Sequence, residues 1–235
     1  MAEVSLTFNQ TVKGITEFIE VAIHSILYVR QIYPPDLFIR RKKYDTPVFQ
    51  SRHPALNEYI SGAVKAIGEE LVLGNVDKVI IVVKDKDQIA LERFIFSMSN
   101  MIEIESYDKN MSVQDAMSSN MLTQYFRSFL IKLNMIESQL GVLEHHDDAS
   151  FAIVIELNDN KAPTRKPDKD PPPWIPADHQ HTTSGASDNA ELHLVRAVDT
   201  GVISLSLAVQ ESEEKLQKMK IPEYHPEGKG KEKAI

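Results

Sequence analysis

Pro171-Pro172-Pro173-Trp174-Ile175-Pro176 sits in the middle of a loop running from Asn158 to about Ala190, and it holds the chain's single tryptophan. With Pro163 and Pro167, this loop carries six of the twelve prolines and almost no branched aliphatics. A structureless loop of about 33 residues is uncommon inside a compact domain and usually has a function of its own. It is no C-terminal tail, because strand-like sequence flanks it on both sides. Phe151 to Leu157 precedes it; Leu192 to Val198 and Val202 to Val209 follow, joined by Asp199-Thr200-Gly201 as a hairpin turn with Gly available for positive φ. In the last arm Ile203, Leu205, Leu207 and Val209 alternate with Ser204, Ser206, Ala208 and Gln210, the period of a half-exposed strand. The pattern predicts a strap that leaves a sheet, docks through an aromatic, and returns as a hairpin, which points to a binding protein.

Upstream, Ile15, Phe18, Ile19, Ala22, Ile23, Ile26 and Leu27 recur at helical spacing and predict a long core helix from about Asn9 to Tyr33-Pro34-Pro35. Leu56, Ile60, Val64, Ile67 and Leu71 predict a second helix, capped near Ser51 and ended at Gly74-Asn75. Between the two helices the basic run Arg40-Arg41-Lys42-Lys43 reads as a solvated loop. The β-branched run Val79 to Val83 predicts a strand buried on both faces, returning as Ile89 to Met98. A third helix is expected from Ser112, with Asp115 as a capping-box partner, through Leu122, Phe126, Phe129 and Leu133 to Gly141. The charged stretch 211–235 reads as a disordered tail. The class is α+β: three helices against an antiparallel sheet, in one domain over 1–210.

The chain has 235 residues, 42% of them hydrophobic, and a net charge of −8, which disfavours general nucleic-acid binding. The absence of cysteine removes disulfides, thiol nucleophiles and thiolate zinc sites. No apolar run approaches the roughly 18 residues of a membrane span, and no signal peptide is visible, so a soluble intracellular protein is expected. His145-His146-Asp147-Asp148 reads as a polar turn, because neighbouring side chains diverge. His179 and His181 lack a third ligand at useful spacing. No phosphate loop, nucleophile elbow or paired acids stand out, so neither an enzyme, a cofactor nor a metal is expected. Tyr59, beside the second helix's apolar stripe, is either core or a surface anchor. Trp174 pins the loop either to its own domain or over a ligand.

Phe18-Ile19-Glu20-Val21-Ala22-Ile23-His24, Ile26-Leu27-Tyr28-Val29-Arg30 and Tyr33-Pro34 resemble the HORMA-domain family. Arg41-Lys42-Lys43-Tyr44, His53-Pro54, Leu56-Asn57-x-Tyr59-Ile60, Trp174-Ile175 and Ala177-Asp178 are similar to one branch of it, the accessory subunits of DNA polymerase zeta. The resemblance spans about Phe8 to Glu211. It implies a HORMA fold with a mobile "safety belt", here 158–210, that wraps a partner peptide added to the sheet as a strand. In that branch the peptide comes from the catalytic subunit of polymerase zeta. The resemblance places Tyr59, Trp174 and Leu192 in partner binding and Arg127 at a HORMA–HORMA dimer face. It further implies a second partner, the translesion scaffold polymerase, and a nuclear location, with the cytoplasm as an alternative; the charge and the lack of an apolar span predict no direct contact with nucleic acid or membrane. The alternative within the family is a spindle-checkpoint adaptor holding a different peptide. Two features depart from the branch. Lys166-Pro167-Asp168-Lys169-Asp170-Pro171-Pro172-Pro173 replaces a short strand, since proline offers no ladder N–H. Ser206 and Ala208 stand where larger residues contact the second partner.

Overall fold

A computed structural model describes residues 4–103, 108–141, 143, 148–164 and 174–220. The central element is helix α1, Phe8–Val29. Thr7 caps it with a reciprocal capping box to Gln10, which satisfies the first free amides. Its apolar residues from Phe8 to Leu27 are buried nearly all round, as a helix needs to be when elements pack on several sides.

The basic run does not form a loop. Strands β1 (Phe38–Lys43) and β2 (Thr46–Ser51) make a separate antiparallel hairpin. Its turn is Tyr44-Asp45, both at positive φ (51° and 53°), the geometry that suits a two-residue hairpin. The turn was hidden because neither residue is Gly or Asn. Buried Phe38 and Val48 and the stacking of Tyr28 on Phe49 hold the hairpin to α1.

Helix α2, Pro54–Val72, starts one turn boundary later than expected. His53 is the cap, accepting from the Leu56 amide, while Ser51 ends β2 and its hydroxyl receives the His53 N–H. Strands β3 (Val76–Lys84) and β4 (Ala90–Asn100) follow. Helix α3 is shorter than the sequence suggested, Ser119–Met135, capped by Ser118. Residues 112–118 form a turn between two bridges: Ser112 and Ser118 bridge to Thr7 and Ser5, the Ala116 amide closes the turn on Val113, and the Met117 amide donates to the Thr200 carbonyl. Those long-range bonds outcompete the helical ones. Strand β5 spans Ser150–Leu157, and the hairpin is β6 (Glu191–Asp199) with β7 (Ile203–Glu211). Gly201, at φ 78°, sits where a Cβ would lie 2.4 Å from the Asp115 carbonyl oxygen.

The five strands form one antiparallel sheet in the order β5-β3-β4-β7-β6. Its first face, with Val79, Ile81, Val83, Phe94 and Phe96, packs under the helices; Phe18 stacks on Phe126 at 4.5 Å in that core. Its second face carries a smaller cluster of Ile80, Val82, Ile95 and Val154. No helix among the described residues is long and apolar enough to cross a membrane.

The expected tail from Glu211 is corrected for its first ten residues. Glu211 completes β7, and helix α4 runs Glu213–Lys220. A buried ion network explains this. Arg30 grips Glu92 with two hydrogen bonds of 2.6 and 2.9 Å, Lys215 reaches Glu92 at 2.6 Å, and Lys215 also pairs with Glu211. All four groups are buried. Composition reads this segment as solvated because it cannot register partners more than 100 residues away. Residues 221–235 lie outside the described residues.

Candidate functional site

Residues 158–190 leave β5 at one edge of the sheet and enter β6 at the other, so the chain has to cross a face. Its described stretch from Gln180 to Thr183 lies over the second one. The start of the strap is fastened to the end of α2: the Thr164 amide donates to Glu70 at 2.7 Å, and the Asn158 amide to the Asn75 carbonyl at 2.8 Å. The proline segment 165–173, including the stretch that departs from the polymerase branch, lies outside the described residues. Beyond Trp174 the strap is stitched across three strands. Thr183 binds Glu156 of β5 through its amide and hydroxyl, Lys78 of β3 bonds Glu156 at 2.9 Å, and Arg93 of β4 donates to the Gln180 carbonyl. His181 is folded inward with its Nε2 at 2.9 Å from the Gln88 carbonyl, so the His179–His181 segment is a helical turn and not an extended ligand pair.

These contacts perturb the charges. Burial would raise the Glu156 carboxyl, yet Thr183 and Lys78 outweigh it and hold it below the usual carboxylate range. Burial pulls the Arg93 guanidinium down, with Glu214 opposing. A paired carboxylate and a guanidinium bound to a carbonyl under the strap are anchors, and the Arg93 Nε stays buried with no acceptor among the described residues.

The free edge lies on the other side of the strap's origin. Among the described residues β5 pairs with β3 alone. Tyr59, 48% exposed on α2, meets Phe151 of β5 edge-to-face at 5.6 Å, and Tyr33 meets the same ring from its other side at 6.3 Å. Burial pushes the Tyr59 phenol up, while the Ile153 amide, which faces the phenol, works the other way. An amide aimed at Tyr59 points away from β3. Backbone groups alternate along a strand, so Phe151, Ile155 and Leu157 present their N–H and C=O outward as well. Tyr33 and Phe151 had no signal in the sequence as site residues, since only the packing of α1's exit against β5 joins them to Tyr59.

Trp174 packs half-buried against the main core, and its indole N–H is buried with no acceptor among the described residues. Tyr59 touches the core through Phe151, which packs against it, and is otherwise half exposed. Leu192 is separated from Tyr59. It is 64% exposed on β6, at the opposite edge of the sheet, four strand spacings of about 4.8 Å from β5. There it stands beside Leu194, with Gln210 and Ala208 as cross-strand neighbours. Tyr59, against β5, and Leu192, on β6, thus stand at opposite edges of the sheet. Arg127 is exposed on α3, and its charge helps to hold the Asp45 carboxyl low after the larger effect of Lys42. His145-His146-Asp147 lie outside the described residues.

A HORMA domain profile matches residues 11–203. The chain is 31% identical over 213 residues to the human mitotic spindle assembly checkpoint protein MAD2B, covering 88% of this chain and 93% of that protein. It is 37% identical over 145 residues to the DNA polymerase zeta processivity subunit of Schizosaccharomyces pombe, covering 61% of this chain and 67% of that one. Among solved structures, C. elegans HTP-2 bound to HTP-3 closure motif 1 superimposes with a TM-score of 0.68 at 11% identity, over 89% of this chain and 88% of that chain.

Proposed function

Since this chain belongs to the HORMA-domain family, we propose that it is a noncatalytic adaptor that holds an extended peptide as an added strand on the free edge of β5. The observation that carries the reading is the outward row of backbone groups on β5 beside Tyr33, Tyr59 and Phe151, with the strap fastened at both ends around it. Main-chain pairing supplies affinity in such strand addition and flanking pockets supply selection. The Trp174 N–H, unpartnered among the described residues, offers a donor to a peptide carbonyl.

The fission-yeast relative supports a peptide from the catalytic subunit of DNA polymerase zeta, and hence a nuclear role in translesion synthesis. The exposed face of β6–β7, with Leu192, Leu194, Ser206 and Ala208, is the proposed seat of the translesion scaffold polymerase. Arg127 is the proposed contact of a HORMA–HORMA pair. The checkpoint name of the human relative favours a second reading, a spindle-checkpoint adaptor with another peptide. For the noncatalytic assignment, the cleft between α1, α3 and the β1–β2 turn is informative. There Glu17 is spent on Lys43 at 3.0 Å and Asp45 on Lys42 at 2.9 Å, so these acids are not poised for proton transfer.

Hydrogen exchange tests strand addition directly. A zeta-derived peptide should protect the amides of Phe151, Ile153 and Ile155; unchanged exchange along β5 with peptide bound elsewhere would refute the site. Binding of checkpoint peptides in preference to zeta peptides would select the second reading.

A further inference from the structure

Glu191, His193 and Glu211 each offer one ligand atom, and the three atoms lie within 4.8 Å of one another. We propose that the β6–β7 hairpin carries a divalent-cation site, best matched to zinc. The register sets Glu191 directly across from Glu211, and His193, two residues along β6, projects from the same face. Two carboxylates opposite one another across a ladder are destabilising unless a positive charge sits between them. Lys215 compensates Glu211 from behind, whereas Glu191 makes no ion pair among the described residues.

The buried carboxylate is already oriented for a ligand. The Glu211 Oε1 atom takes the Gly141 amide at 3.0 Å and the Lys215 ammonium, leaving Oε2 turned toward His193 Nε2 at 2.9 Å. With Oε1 held by those donors, Oε2 is bonded to the His193 ring, and a cation would replace the proton the two share; the donors on Oε1 orient the carboxylate as outer-shell supports do in metal sites. A purely carboxylate pair would suit magnesium or calcium; the imidazole shifts the preference to zinc, with water completing a tetrahedral set. Glu191 is exposed and His193 is 26% exposed, so an ion enters from solvent. The ligands come from two strands and no short motif contains them, so pairing register alone assembles the site. A bound ion would clip the residue where the strap enters the hairpin to the residue where the hairpin ends.

Zinc titration of the metal-stripped full chain, followed by calorimetry and by NMR of the imidazole rings, tests this. The expected result is one saturable equivalent of zinc, a melting temperature that rises with zinc concentration and reverses with chelator, and a shift of the His193 ring signals. His193→Asn and Glu191→Gln should each weaken binding about tenfold or more. Glu191 is exposed, so Glu191→Gln keeps the test valid even if His193→Asn disturbs the hairpin. Absence of saturable binding would overturn the proposal. So would zinc affinity unchanged in both variants, which would place the ion on other histidines.

Discussion

Lys215 Nζ lies 2.6 Å from Glu92 Oε1, 123 positions earlier in the chain, and neither side chain is more than 4% exposed. Both accept this burial because the network is balanced: Arg30 and Lys215 face Glu92 and Glu211, and the Gly141 carbonyl receives hydrogen bonds from both cations at 3.0 Å. The Glu211 carboxyl shows the balance. Burial would raise it, but Lys215, the Gly141 amide and His193 together hold it below the usual carboxylate range. The network ties the exit of α1, β4, β7 and α4 into one body.

Removing one partner of such a cluster strands a buried charge. Lys215→Ala should therefore cost about 3–5 kcal/mol in denaturant-induced unfolding. Truncation after Lys220 should leave stability nearly unchanged, while truncation after Glu211 should reproduce the Lys215→Ala loss. Equal stability of both truncated chains would show that α4 does not hold the fold.

His24 gives a pH signature. It is buried on α1, where it receives the Ser51 amide at 3.5 Å, and burial lowers its pKa from 6.5 to about 4. Between those values the unfolded chain binds a proton that the folded chain refuses. The contribution of His24 is thus fully present above about pH 6.5 and is lost as pH falls toward 4. At about 1.4 kcal/mol per unit, the loss reaches roughly 3 kcal/mol. His24→Asn, which keeps an acceptor without a titrating ring, should flatten the wild-type slope in that window. Urea titrations at several pH values provide the check; parallel wild-type and mutant curves would exclude the effect.

Tyr59→Ala and Trp174→Ala should each weaken a zeta-derived peptide by about 2 kcal/mol or more, as truncation of a central aromatic anchor does. Leu192→Ala, on the far edge of the sheet, should leave that affinity unchanged and reduce binding of the second partner instead. Calorimetry with both ligands separates the surfaces, and a loss of peptide affinity in Leu192→Ala would rejoin them.

Arg127→Ala should change unfolding free energy by no more than about 0.5 kcal/mol, because the side chain is exposed. If the α3 face pairs two HORMA domains, the same substitution should abolish that pairing in sedimentation velocity. An oligomer that persists in the variant would remove Arg127 from the interface.

Local pattern alone determined much of the fold. The stripe from Ile15 to Leu27 needs only the 3.6-residue period, the run Val79–Val83 only its β-branching, and the alternation from Ile203 to Gln210 only the two-residue period. The strap was legible too, because proline and the loss of branched aliphatics mark it without reference to partners. Tertiary structure decided what depends on distant pairing. Tyr44-Asp45 turns without a turn signature because β1 and β2 pack on α1. Residues 112–118 stay out of the third helix because Ser112 and Ser118 bridge to the N-terminal segment. Residues 213–220 order because Lys215 finds Glu92 and Glu211. The site divides the same way. Tyr59 and Trp174 carried a resemblance in their own local sequence, but Tyr33 and Phe151 join Tyr59 only through packing. Sheet order alone carries Leu192 to the far edge, since a strand's neighbour is chosen by long-range pairing that no local window contains.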